Sequence, residues 1–253
     1  MNQVLNRRWL PLLGPLLLFA LWQLLISAQF VKPVLLPPPG ETLAHMASVF
    51  ASGAIFGDLW ATIFRTLCSF GIATVIGVPL GVMLGSSEAA YRSVEFLIDF
   101  FRSTPSSALI PLFLLIFGIT DINKIAIASF GAMLIVLFNS AYGVMNAKKT
   151  RVMAAQIMGV SKWHVFKDVM LMESLAQTFV GLRSAVSMAL VIVIVAEMFI
   201  GSTDGLGQRV INAQMIFNMP EMYATIFAAG ALGYGLNVLF IVIERKFVHW
   251  GGK

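Results

Sequence analysis

Among the ionisable side chains that stand within long apolar runs of this sequence are Arg65, Arg102, Arg183 and Glu197. A charge in such surroundings is costly, so it marks a solute path, a gate or an ion pair. Arg65 lies about two helical turns inside one end of its run and Arg183 about as deep from the opposite end of another. Arg65 has two readings, contact with an anionic solute or snorkelling of its long stem to the membrane surface. Glu197 sits near the end of the run that also holds Arg183, at the place of an outer gate or a docking point. Arg102 stands three residues after Asp99 and seven after Glu95, a spacing that favours a local ion-pair set.

Enzyme chemistry finds no support. The chain carries no G-x-x-x-x-G-K-[ST] phosphate loop, no H-E-x-x-H and no G-x-S-x-G. His45, His164 and His249 are scattered without metal-ligand spacing. Gly205-Leu206-Gly207 is too short for a dinucleotide fingerprint, and the one cysteine, Cys68, cannot form an intramolecular disulfide. No catalytic residue, metal site or cofactor bound by this chain is expected.

The elements that must hold the four charges follow from composition. Of 253 residues, 58% are apolar and 11% charged, with a net charge of +5. A soluble domain carries roughly twice that share of charge. The mean hydropathy of +0.87 agrees, and the pI near 9.6 fits basic membrane loops rather than nucleic-acid binding. At about 20 residues per crossing, the runs predict about six spans near 9–29, 59–85, 93–118, 125–145, 175–200 and 221–244. The expectation is an all-α, polytopic, single membrane domain over 1–253, its third span broken near Ser103-Thr104-Pro105 and residues 201–220 forming a loop. A short amphipathic helix is expected near Thr42–Ala51. Pro79, Pro105 and Pro111 mark either bending points or static kinks.

Lys and Arg placement sets the orientation. With the N-terminus inside, Arg7, Arg8, Arg92, Lys148, Lys149, Arg151, Lys162, Lys167, Arg245, Lys246 and Lys253 are cytoplasmic, while Lys32, Lys124 and Arg209 are outside. That bias favours both termini in the cytoplasm.

The densest basic group lies in 146–173, too polar to span and too patterned for a slack loop. Ala154 to Met158 favours helix, Gly159 interrupts, and Ser161 is a good N-cap for a second helix. There Trp163, Phe166, Val169 and Met170 fall at i, i+3, i+6 and i+7, one apolar face. Such a helix-Gly-helix either docks into a groove on a cytoplasmic partner or lies in the headgroup layer.

This stretch resembles the "EAA" coupling loop of permease subunits of type I ABC importers, nearest to the nitrate/sulfonate/taurine/bicarbonate branch. The matching positions are Ala154, Ala155, Gly159, Ser161, Trp163, Phe166, Val169 and Leu171, followed by Gly181-Leu182-Arg183. Leu36-Pro37-Pro38-Pro39, Gly77-Val78-Pro79-Leu80-Gly81, Arg102-Ser103-Thr104-Pro105, Ala108-Leu109-Ile110-Pro111-Leu112, Ala196-Glu197-Met198 and Gly205-Leu206-Gly207 also resemble ordered segments of that branch. The sequence departs from it at Met153, where the family has glutamate, and at Leu171-Met172, where it has Leu-Pro.

The resemblance implies a permease that forms the path for a small, anionic solute, in membrane lipid. It implies two separate ATPase subunits that bind ATP and magnesium and grip the loop, and a second permease copy, expected to form a homodimer. An extracytoplasmic substrate-binding protein completes the set, with no nucleic acid. With the glutamate absent, the ATPase contact is expected to be mainly apolar. The alternative is a passive channel or ion-coupled carrier, which would act without an ATPase. An exporter would ordinarily carry its ATPase fused and lack this loop.

Overall fold

A computed structural model describes residues 10–247. Arg7, Arg8, Trp9, His249 and Lys253, all used above, lie outside the described residues. Every regular element among the described residues is a helix. In chain order they are α1 (Leu10–Ser27), α2 (Pro39–Ala51), α3 (Phe56–Gly85), α4 (Glu88–Ser103), a 3₁₀ turn (Ser106–Leu109), α5 (Ile110–Phe117) and α6 (Asp121–Met145). There follow α7 (Lys149–Ile157), the short α8 (Lys162–His164), a π-helical turn (Val165–Met170), α9 (Leu171–Ile200), α10 (Leu206–Met215) and α11 (Met219–Phe247).

Four helices among the described residues are long and apolar enough to cross a bilayer: Phe56–Gly85, Asp121–Met145, Lys162–Ile200 and Met219–Phe247. Glu88–Ser103 and Ser106–Phe117 pass the same test together but meet at 89°. The third span expected over 93–118, with its break near Ser103-Thr104-Pro105, is therefore a sharply bent pair. The cause is local. Pro105 forces the preceding residue out of helical space, and Thr104 sits extended at φ −80°, ψ 123°. The other two prolines bend nothing so strongly. Pro79 lies inside the continuous α3, and Pro111 sits in the first turn of α5, where its missing N–H costs least. Where the first span is expected lies α1, an apolar helix that is shorter than these four among the described residues.

Two further expectations change. Residues 201–220 are not simply a loop, because α10 occupies Leu206–Met215. The second helix of 146–173 is not separate from the fifth span. Chain from Lys162 to Ile200 runs as one 39-residue helix.

Contacts divide the chain into two compact units. The described part of the first comprises residues 10–56 and 209–229. Here Phe19, Trp22, Tyr223 and Phe227 pack ring on ring at 5.7–6.1 Å between centroids, and Trp22 Nε1 donates to the Pro37 carbonyl. Glu221 joins this unit's polar side: its carboxylate pairs with His45 and with Arg209, and Arg209 also donates to the Ala54 carbonyl.

The second unit, Gly57–Gln208 with the described residues from Gly230 onward, is organised on α6. Small residues let α6 be enclosed. Ala128, Ala132 and Ala141 have no exposed surface, and α9 lies along α6 with Ala185, Ala189, Val193 and Ala196 equally buried. From the other side α3 approaches through Gly77, Gly81 and Gly85, a small-residue spacing that lets helix backbones touch. A Cβ on Gly81 would fall 2.7 Å from the Ser140 Cβ and would also collide with the Leu137 carbonyl. Large apolar side chains such as Val75, Leu115 and Tyr234 point outward, as lipid allows and water penalises.

Candidate functional site

The sequence-predicted residues fall into several places in the second unit. The first is a polar knot at the Ile200 end of α9. Glu197 has no exposed surface although it is ionisable. Its carboxylate accepts from Thr62 Oγ1 at 3.0 Å, from the Gly207 N–H at 2.9 Å and from Arg65 Nη1 at 2.7 Å. Arg65 is 4% exposed, and each nitrogen of its guanidinium has an oxygen partner. Nε donates to Asp121 Oδ1, Nη1 also donates to the Asp204 carbonyl, and Nη2 donates to Ser202 Oγ. The head of Arg65 is thus enclosed by protein oxygens and does not reach the surface.

Asp121 and the buried Lys124 complete the knot, with Lys124 Nζ 3.2 Å from both Asp121 Oδ1 and Ser202 Oγ. Lys124 is not a loop charge: it occupies the first turn of α6 and is 3% exposed. Thr62 Oγ1 has a double task, because it also accepts the Leu206 N–H at 2.9 Å, while Asp58 accepts the Gly205 N–H. The segment 201–207 is thus held by three of its own N–H groups on side chains of α3 and α9. Glycine is required there for two different reasons. Gly205 has φ +141°, and a Cβ on Gly207 would collide with the Ile194 carbonyl.

Sequence reasoning had singled out Arg65 and Glu197 and missed Thr62, Asp121, Lys124 and Ser202 as their partners. The available signal was the concentration of ionisable and hydroxyl groups within a few residues of three apolar run ends.

The second place is the 146–173 loop. Helix α7 ends at Gly159, whose φ of +75° is left-handed. Its N–H reaches the Gln156 carbonyl and the Val160 N–H the Ala155 carbonyl, closing the helix in a Schellman pattern. Ser161 caps the next helix by accepting the His164 N–H. Glu173 ties the two halves: it pairs with Arg151 Nη1 and accepts the Lys148 N–H. A cavity of about 390 Å³ opens between Arg151, Asp168, Val169, Met172 and Glu173.

The expected face of Trp163, Phe166, Val169 and Met170 divides. Trp163 is exposed, while Phe166, Val169 and Met170 are half-buried. The π-helical turn explains this: its wider coil breaks the 3.6-residue period on which the face was drawn. The exposed apolar surface is instead Met153, Ile157, Met158 and Trp163, gathered around the Gly159 turn. Of the matching loop positions, Ala154 is exposed, Ala155 is buried and Leu171 is half-buried.

The remaining two, Arg102 and Arg183, have separate surroundings. Arg102 pairs with Asp99 at 3.3 Å and lies 3.7 Å over the Phe138 ring, a local arrangement of the expected kind. Arg183 reaches Glu244 of α11 at 3.5 Å. The structure does not bring Arg102 or Arg183 to the knot.

Comparison with known proteins agrees with this geometry. The family described as "Binding-protein-dependent transport system inner membrane component" matches residues 77–249. The putative aliphatic sulfonates transport permease protein of Escherichia coli is 29% identical over 248 residues, 96% of this chain and 94% of that protein. The taurine transport system permease protein of Escherichia coli is 26% identical over 241 residues, 93% of this chain and 87% of that protein. A chain from inward-facing structures of the MetNI methionine ABC transporter shares the fold, with a TM-score of 0.67 and 22% identity, covering 77% of this chain and 96% of that one. The chain is a multi-pass membrane protein belonging to the family of inner membrane components of binding-protein-dependent transport systems.

Proposed function

We propose that this permease subunit forms, with a second copy of itself, the path for a small oxyanion, and that two ATPase subunits drive it through the 146–173 loop. ATP and magnesium reside on those ATPases. An extracytoplasmic binding protein delivers the solute, and both termini of the permease face the cytoplasm. The oxyanion reading is supported by relatives named for sulfonate and taurine transport. The orientation is supported by the Lys and Arg bias.

The observation that carries the ATPase coupling is the exposed apolar group Met153, Ile157, Met158 and Trp163, placed where a glutamate leads the family's loop. Lys148, Lys149, Arg151 and Lys162, all exposed, add basic charge to the same loop. An apolar patch on a charged loop fits the ordinary anatomy of a protein interface, an apolar core within a polar rim. Aromatic residues at the centre of such patches carry much of the binding energy.

The test is co-purification of the ATPase with tagged permease. Trp163→Ala combined with Ile157→Ala is expected to lower recovered ATPase at least about tenfold, the effect of losing 1.4 kcal/mol, with permease yield unchanged. Undiminished ATPase would overturn the apolar-contact reading. Flux in proteoliposomes that contain permease alone, without ATP, would make the chain a channel or ion-coupled carrier instead.

A further inference from the structure

The two buried or half-buried arginines on the apolar helices differ in how their donors are used. Arg65 is saturated by protein oxygens. Arg183, among the described residues, has one loose ion pair, the 3.5 Å approach to Glu244, and Glu244 Oε2 itself makes no hydrogen bond. Arg183 lines a groove of about 410 Å³ with Ser184, Ser187, Met188, Val191 and Asn237.

Four observations meet there. Ser184 is exposed and Ser187 half-exposed on the face of α9 that carries Arg183. Their hydroxyls rest only on carbonyls of their own helix, Val180 at 3.0 Å and Arg183 at 3.4 Å. One χ1 rotation turns either hydroxyl into the groove. Asn237 is also on the groove, and its amide N–H groups are donors of the kind an oxyanion accepts from. Lastly, Arg183 lies about two helical turns inside the fifth span, and its guanidinium reaches towards Glu244 in the last turn of α11. A face with a guanidinium, two hydroxyls and a carboxamide at that depth does not belong against lipid tails; it belongs on a watered path.

We infer that the groove formed by Arg183, Ser184, Ser187 and Asn237 is a binding site for a small oxyanion in transit. The inference rests on the permease reading above and assigns its solute contact. A planar guanidinium offers paired N–H donors to a sulfonate or nitrate-type group. Glu244 holds Arg183 loosely enough for a passing anion to displace it, and binding that is weak and readily reversed is what transit requires.

The test uses the full chain with its ATPase partner in lipid nanodiscs, with Cys68→Ser as background. Ser187→Cys is reacted with methanethiosulfonate reagents that carry either a sulfonate or a trimethylammonium group, each rate normalised to that of free cysteine. The sulfonate reagent is expected to be favoured by about fivefold or more. Arg183→Gln is expected to abolish the preference, Arg183→Lys to keep it, and Glu244→Gln to enlarge it. Val75→Cys, on an outward apolar face, is expected to stay unmodified.

No reaction at Ser187→Cys, equal reaction at Val75→Cys, or a preference unchanged by Arg183→Gln would each overturn the site. ATPase recovery and ATP hydrolysis are read on the same samples. Loss of charge preference with the ATPase still bound refutes the groove alone. A preference retained without any bound ATPase supports the groove and refutes the ATP-coupled reading.

Discussion

Arg65→Met is expected to leave little folded protein. It strands the carboxylate of Glu197, which has no exposed surface, and removes donors from Asp121, the Asp204 carbonyl and Ser202. Breaking a buried pair on one side costs about 3–5 kcal/mol, because the remaining charge is neither solvated nor compensated. Set against a total stability of about 5–15 kcal/mol, that is a large share. The check is the thermal midpoint of the detergent-purified permease, followed by size-exclusion fluorescence. The double variant Arg65→Met with Glu197→Gln should recover more than half of the loss. The amide carries no charge, and its oxygen still accepts from the Gly207 N–H. A single variant as stable as the parent would mean that the Arg65 donors are supplied by water or solute rather than by the knot.

Gly81→Leu is expected to be comparably severe for a purely steric reason. Even a methyl group at this position meets the Leu137 carbonyl and the Ser140 Cβ, so α3 and α6 must part. Gly77 and Gly85 pack as closely, with a Cβ on Gly85 falling 2.5 Å from the Ala141 carbonyl. The helices therefore cannot slide to relieve the clash. Overpacking that moves backbone costs about 1–3 kcal/mol, and more where the backbone itself is in the way. Gly71→Leu is the control, since nothing lies within 4 Å of a Cβ there. It should be neutral or gain about 1 kcal/mol from helix propensity. Equal losses at Gly71 and Gly81 would show that general helix chemistry, not the α3–α6 approach, is being measured.

Much of the fold was legible because lipid imposes a simple code. Long apolar runs had to be helices, and the expected spans at 59–85, 125–145, 175–200 and 221–244 each fall within one of the four long apolar helices. What was not legible depended on neighbours or on coil geometry. Pro105 announced a break, but the 89° turn also needed Thr104 to settle in the extended region. The glycines at 201, 205 and 207 read as loop throughout. Gly207 in fact belongs to α10 and is small because it packs on α9. The apolar face drawn through Trp163 and Phe166 assumed an α-helical period that the π-helical turn does not keep. Arg65 and Glu197 were each recognisable as misplaced charges. Their pairing across 132 residues of sequence was not, since no local pattern encodes it.

The unbroken 39-residue helix from Lys162 to Ile200 has a mechanical consequence. At 1.5 Å per residue it is a strut of about 58 Å. One end stands beside the exposed Trp163, and the other is clamped through Glu197 to α3 and the 201–207 segment. A push at the Trp163 end therefore enters the same helix that lines the groove, and the one departure from the α-helical coil on the way is the π-helical turn Val165–Met170. The helix joins an exposed apolar end to a charged clamp at Glu197, with Arg183 between the two. Softening the clamp should loosen the timing between ATP use and solute movement even where folding survives.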